Sequence, residues 1–161
     1  MKYCSGKRKD GLPYMAAQEN KAIARQAYEA INRKNLDTLD EVAALDMTDH
    51  DPGPGQAPGL EGLKQLLASL HNAFPDYHVD VEDMIAEGDK VVARLSTSGT
   101  HQGEFMGIAP TGNRVVVSGI EILRIAEGKI VELWANFDDL GRMQQLGAIP
   151  EAGQQQAPGG A

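Results

Sequence analysis

Val115-Val-Val-Ser-Gly-Ile-Glu-Ile-Leu-Arg-Ile125 and Ile130-Val-Glu-Leu-Trp-Ala-Asn-Phe-Asp138 are two runs rich in β-branched and aromatic residues, separated by a tight turn at Glu127-Gly128. Two such runs across a glycine-containing turn predict a β-hairpin. Upstream, Tyr77, Val79, Val81 and Ile85 alternate with His78, Asp80, Glu82 and Met84, and Gly88-Asp89 turns the chain into Val91, Ala93 and Leu95, running on to Thr100 and His101. A period of two puts alternate residues on opposite faces of a strand. Four successive strands joined by short turns imply an antiparallel meander.

The segments before the strands have a different period. Ile23, Ala27 and Ile31 recur every four residues between about Gln18 and Lys34, which is one stripe of a helix. Asn35 precedes a second short helix carrying Leu36, Leu39, Val42 and Ala43. Leu60, Leu63, Leu66, Leu67, Leu70 and Phe74 form a third, stopped by Pro75. Between these two, Asp46 to Gly59 holds three prolines and three glycines and is expected to be a loop bordering a pocket mouth. A short last helix over Asp139 to Leu146 ends at Gly147. Helices first and strands afterwards predict an α+β domain, with a curved, mostly antiparallel sheet wrapped around the N-terminal helices and a pocket on its concave side.

With 161 residues, one domain is expected, over 17–150. Residues 1–16 are expected to be a disordered extension, the first fourteen of them a start-site artefact, because Met15-Ala-Ala-Gln-Glu-Asn opens like a natural N-terminus. The basic start has no apolar run after it and does not read as a secretory signal. Residues 151–161, rich in Gly, Gln and Pro, are expected to be a disordered tail. No apolar run approaches a membrane span. A net charge of −8 argues against a nucleic-acid partner. The single cysteine, Cys4, permits neither an intrachain disulfide nor a cysteine zinc site, and a cytoplasmic location is expected. No histidine pair has metal-ligand spacing and no glycine-rich run has the form of a phosphate cradle, so neither a metal nor another cofactor is expected.

In the last strand Glu132, Trp134, Asn136 and Asp138 share a face, and the sole tryptophan in that row makes it a candidate pocket wall. Asp139 is expected to cap the following helix while Asp138 looks inward, where desolvation would raise its pKa and suit it to acid/base chemistry. His101 lies between two glycines in Gly99-Thr-His-Gln-Gly103, and His50 stands before the proline-rich loop. Each histidine taken alone is more often a surface or satisfied core group than a functional one. Glu121 sits among apolar residues of the preceding strand, where an ion pair with Arg94 or Arg124 is the preferred reading. Whether it shares the Trp134 face depends on the hairpin register.

Taken in order, His50-Asp-Pro, Ala73-Phe-Pro-Asp76, Glu87-Gly-Asp-Lys-Val-Val92, Gly99-Thr-His-Gln-Gly103, Ala109-Pro-Thr-Gly112 and Gly128-Lys-Ile-Val-Glu-Leu-Trp134, leading to Asp138 and Gln145-Leu-Gly147, resemble the SnoaL-like polyketide cyclase or ester cyclase family. The resemblance spans about Ala17 to Pro150. It implies a cone-shaped α+β barrel of the nuclear transport factor 2-like superfamily with a deep apolar pocket, and intramolecular aldol ring closure without metal or cofactor. It places the catalytic aspartate at Asp138, with His101 as the second catalytic residue, and sets His101 and Trp134 in the cavity, with Tyr28 offering a hydroxyl. His50 and Asn136 complete the expected substrate-binding set. The chain departs from the family's frequent Glu-His-Trp by having Glu132-Leu133-Trp134. The expected ligand is a small hydrophobic or polyketide-like molecule, and a homodimer is expected from the exposed sheet face. A non-catalytic binding module, or a hydrolase or isomerase on the same scaffold, is the alternative.

Overall fold

A computed structural model describes residues 12–150. Of the expected extension over 1–16, residues 1–11 lie outside the described residues, as does the expected tail over 151–161. Helix α1 runs Leu12–Asn32, beginning ahead of the expected boundary at Ala17, and a 3-10 turn, Leu36–Thr38, leads into α2, Leu39–Val42. Strand β1, Ala43–Asp49, follows directly. Helix α3, Gly59–Ala73, precedes β2, His78–Glu87, β3, Lys90–Thr100, β4, Arg114–Ala126, and β5, Lys129–Phe137, and α4, Asp139–Gln145, comes last.

The sheet order is β1-β5-β4-β3-β2. The meander β2 to β5 is antiparallel as expected, and β1 adds a fifth strand parallel to β5. That strand corrects the reading that carried the second helix through Ala43 and began a loop at Asp46. Ala43-Ala-Leu-Asp-Met-Thr-Asp49 has no clean alternation, since its register with β5 shifts between Ala43 and Thr48, and a parallel strand lacks the hairpin that would announce it. The sheet has two free edges, β1 and β2, so it is an open curved sheet and not a closed barrel.

The inner face carries the main core. Ala24, Ala27 and Tyr28 of α1 and Leu60 and Leu67 of α3 pack with Val91, Ala93, Leu95, Leu123, Ile125 and Leu133 of the sheet, all buried. Each large aliphatic side chain so removed from water is worth roughly 1.5–3 kcal/mol, which is why these helices lie on the sheet and not beside it. A second cluster of Ala73, Phe74, Phe105, Val115, Val117 and Leu146 closes the far end, and Phe137 touches both clusters.

Two bulges set which side chains face in. The β4–β5 turn is a two-residue one, Ala126 pairing Lys129, with φ of 51° at Glu127 and 76° at Gly128, the positive values a type I′ hairpin needs. Ile125 pairs Ile130, but Arg124 pairs Glu132, so Val131 is an extra residue in β5. In β2, Glu82 is likewise extra between Val81, opposite Leu95, and Asp83, opposite Arg94.

The Gln145-Leu-Gly147 motif has a structural explanation. β5 pairs with β4 only from Gly119 onward. Upstream of it, Gln145 serves as a substitute strand: its side-chain amide donates to the Val116 carbonyl at 2.8 Å and its oxygen accepts the Val116 N–H at 2.8 Å. Leu146 is buried, and Gly147, at φ 76°, ends the helix.

Candidate active site

Glu121 lies on β4 opposite Ala93 of β3 and Ala135 of β5, in the inward row Val117, Gly119, Glu121, Leu123. Its Oε2 accepts a hydrogen bond from the Tyr28 hydroxyl at 2.7 Å. Glu121 is half-buried. Burial is the main influence and pushes its pKa up to about 7; the Tyr28 hydrogen bond opposes the shift, and the Asp49 charge adds to it. Tyr28 is held well above the ordinary tyrosine value, first by burial and then by the Glu121 charge, so it remains a hydrogen-bond donor at neutral pH. A carboxyl group that titrates near neutrality beside a phenol can both take and return a proton.

Tyr28 also borders a cleft of about 290 Å³ between α1 and the bulged edge strand β2, whose rim carries Arg25, Glu29, Asn32 and Glu82. Asp49, at the end of β1, sits opposite Leu133. Its two oxygens are held by the Asp51 N–H at 3.0 Å and by the Gln56 side-chain amide at 2.8 Å. The proline-rich loop is thereby tied down, and Asp51 secures it further by accepting the Ala135 N–H at 3.0 Å.

The expected site residues do not converge. Of the substrate-binding set, Tyr28 alone faces the interior. Trp134 and Asn136 pair with Ile122 and Ile120 in the outward row, and His50 stacks on Trp134 from outside, ring centroids 4.4 Å apart and planes within 2°. The reason is the extra residue at Val131. A two-residue turn with unbroken register would set Trp134 opposite Glu121, on the same face, whereas the bulge sets Ala135 there and turns Trp134 outward.

Neither Asp138 nor Asp139 has its expected duty. Asp138 is the helix cap, its Oδ1 accepting the Gly141 N–H at 2.8 Å, and it is exposed. Asp139 is paired with Arg142 at 2.8 Å. The chain leaves β5 at Phe137, so Asp138 already has the non-helical backbone that capping needs.

His101 is fully buried just past the end of β3. Its Nδ1 accepts the Thr111 N–H at 3.2 Å, which assigns the proton of the neutral ring to Nε2, an atom with no partner among the described residues. Gly99 and Gly103 flank it for packing: a Cβ would stand 2.8 Å from the Phe74 Cβ in the first case and 2.4 Å from the Asn72 carbonyl oxygen in the second. Glu121 pairs Ala93, eight positions back along β3 from His101, so the two are about 25 Å apart along an extended strand and cannot share a reacting atom.

The expected partners of Glu121 are engaged elsewhere: Arg94 pairs Asp83 at 2.8 Å and Arg124 pairs Glu132 at 2.8 Å, both on the outer face. The functional reading of Glu121 is therefore one the sequence did not supply. Val115 to Ile125 carries apolar residues in both alternate rows, with Glu121 in one and Ser118 and Arg124 in the other, so a single glutamate does not show which row is the inner one.

An open sheet curved around helices, with a carboxyl–phenol pair on its concave side, places the chain in the class of small α+β cones typified by nuclear transport factor 2. Within that class, the chain belongs to the SnoaL-like polyketide cyclase family, whose family model matches residues 21–146. It is 29% identical over 131 residues to the aklanonic acid methyl ester cyclase DnrD of Streptomyces peucetius, covering 78% of this chain and 88% of that protein. Among solved structures it is similar to TsrD from Streptomyces laurentii, with a TM-score of 0.76 and 29% identity over 82% of this chain and 97% of that one. It is likewise similar to wild-type IdmH from Streptomyces antibioticus, with a TM-score of 0.71 and 35% identity over 80% and 98%.

Proposed function

We propose that the protein is a cofactor-free cyclase that closes a ring in a small hydrophobic polyketide-type ester by intramolecular aldol chemistry, with Glu121 as the acid/base group and Tyr28 as its proton-sharing partner. The observation that carries this reading is the 2.7 Å hydrogen bond between an inward glutamate and an inward phenol. Tyr28 holds Oε2, which leaves Oε1 to the substrate. The glutamate takes a proton from a carbon flanked by carbonyls, the resulting enolate carbon forms a C–C bond to a second carbonyl of the same molecule, and the alkoxide so produced receives the proton back. Atoms balance without water or redox partner, so the product is an isomer of the substrate. Holding both reacting carbons beside Glu121 adds to the rate by orientation.

Aklanonic acid methyl ester, the compound in the names of the curated relatives, is the first substrate to test. The expected product has unchanged mass and, in ¹⁸O-labelled water, takes up no label through hydrolysis. Hydrolytic incorporation of solvent oxygen would instead make the protein a hydrolase.

The same reading includes a homodimer formed through the outer sheet face. Val116 is 50% and Ile120 51% exposed there, beside the half-buried Ile122 and Trp134. Apolar residues gathered on one exposed sheet face favour a self-complementary contact. Sedimentation equilibrium is expected to give a dimer for the wild type and a monomer for Ile120→Arg; a monomeric wild type would refute the assignment.

A further inference from the structure

The inner face has a second polar feature that ring closure by Glu121 does not use. Arg142, on α4, turns its side chain back toward the sheet, and that side chain is only 19% exposed. It borders a crevice of about 20 Å³ together with Tyr77, Thr97, Phe74 and Val117. A space of that size holds one water-sized group. The guanidinium carbon lies 5.8 Å from the Phe105 ring centre, and Nη1 is held by Asp139 at 2.8 Å. Asp139 is 71% exposed, so water screens much of its charge, whereas the crevice side of the guanidinium faces aromatic and aliphatic walls.

Tyr77 links this crevice to the acid/base pair. Its pKa is pushed up to about 12, chiefly by burial, with the Arg142 charge lowering it and the Glu121 charge raising it, so its hydroxyl is sensitive to both groups and stays protonated. Thr97 pairs with Val117, and Glu121 lies four positions further along β4. At the rise of an extended strand that separates the two sites by about 13 Å. Asp139 takes one guanidinium nitrogen, Nη1, and the remaining guanidinium N–H groups and the Tyr77 phenol are donors bordering a crevice walled mostly by apolar groups, an arrangement that favours an ionised oxygen.

We propose that Arg142, together with Tyr77, is the seat for an ionised oxygen of the substrate, a carboxylate or an acidic enol or phenol, at the end of the molecule remote from the carbon that Glu121 deprotonates. Resting on the cyclase reading, this makes the substrate elongated, flat enough to lie along the inner face, and anionic at one end. Asp139 acts as a positioning residue that holds the guanidinium over the crevice.

Binding without turnover tests it. Anthraquinone-2-carboxylate and its neutral carboxamide, titrated calorimetrically into the full chain, are expected to differ in Kd at least tenfold in favour of the carboxylate. In Arg142→Gln the preference should fall to within about twofold, and in Arg142→Lys it should be intermediate, because an ammonium lacks the planar fork. Thermal melts of both variants establish that they are folded. Equal binding of the two probes by the wild type, no binding of the carboxylate at millimolar concentration, or an undiminished preference in folded Arg142→Gln each overturns the assignment. Glu121→Gln should keep the preference: if it does while aklanonic acid methyl ester is not converted by the wild type, the ring-closure reading fails and the oxyanion seat stands.

Discussion

Glu121→Gln is expected to lower kcat on a cyclisable ester by about 10² to 10⁴, the range over which a positioned general base contributes. Gln keeps the shape and can still accept the Tyr28 hydroxyl, so the loss would be chemical. The wild-type rate should rise with pH through about 7, because the base must be ionised and its pKa is pushed up to about that value. Stability should move in the opposite sense. A folded-state pKa raised from 4.5 means that the native protein holds its proton more tightly than the unfolded chain, so this contribution is present below about pH 4.5 and is lost as pH rises through 7. The Gln variant escapes that loss and should melt higher than the wild type at pH 8, by an energy of at most about 3.4 kcal/mol. Asp138→Asn is the control, since Asn caps a helix about as well as Asp. Its turnover and melting temperature are expected to stay close to wild type. Loss of turnover in Asp138→Asn with retention in Glu121→Gln would return the chemistry to the end of β5.

The pairing of higher stability with lost activity in one variant is what a strained functional group produces. Evolution of a pure scaffold would place Val or Leu at position 121, in line with Val117 and Leu123. The glutamate persists there at an energetic disadvantage that the Tyr28 hydrogen bond only partly offsets.

How far the sequence could be read follows from which features are periodic. The stripe Ile23, Ala27, Ile31 and the leucine series of α3 gave helices close to those observed, because one buried face imposes its period over several turns. The meander was legible from Gly88 and Gly128, each at positive φ in a turn of two residues. Strand β1 was hidden because a parallel strand pairs with a segment about 85 residues away, leaving no local mark. The site was harder still. One added residue, Val131, decides whether Trp134 joins Glu121 on the inner face or turns outward, and nothing in Lys129-Ile-Val-Glu distinguishes a bulge from regular register. The alternation of Glu132, Trp134 and Asn136 was read correctly; the face it occupies was not. Similarly, Asp138-Asp139 offered two capping candidates, and only the point where β5 ends selects the first.

A large loss of stability is expected at Gly119. A Cβ there would lie 2.2 Å from Cδ1 and 2.4 Å from Cε1 of Phe137, the residue directly opposite on β5. Those are ring atoms wedged between two core clusters, so the ring cannot swing aside as the tip of a flexible chain could. Gly119→Val should therefore destabilise the fold by about 3 kcal/mol, the upper part of the range for overpacking, and lower Tm by roughly 10 °C. The effect should be specific to that contact. Shortening the partner in Gly119→Val/Phe137→Leu is expected to recover part of the loss, giving a double variant more stable than the sum of the single changes predicts. Strict additivity, or a Gly119→Val protein that melts with the wild type, would mean that the Phe137 ring is not packed over Gly119, and with it would go the β4–β5 register that sets Ala135, and not Trp134, opposite Glu121 two residues further on.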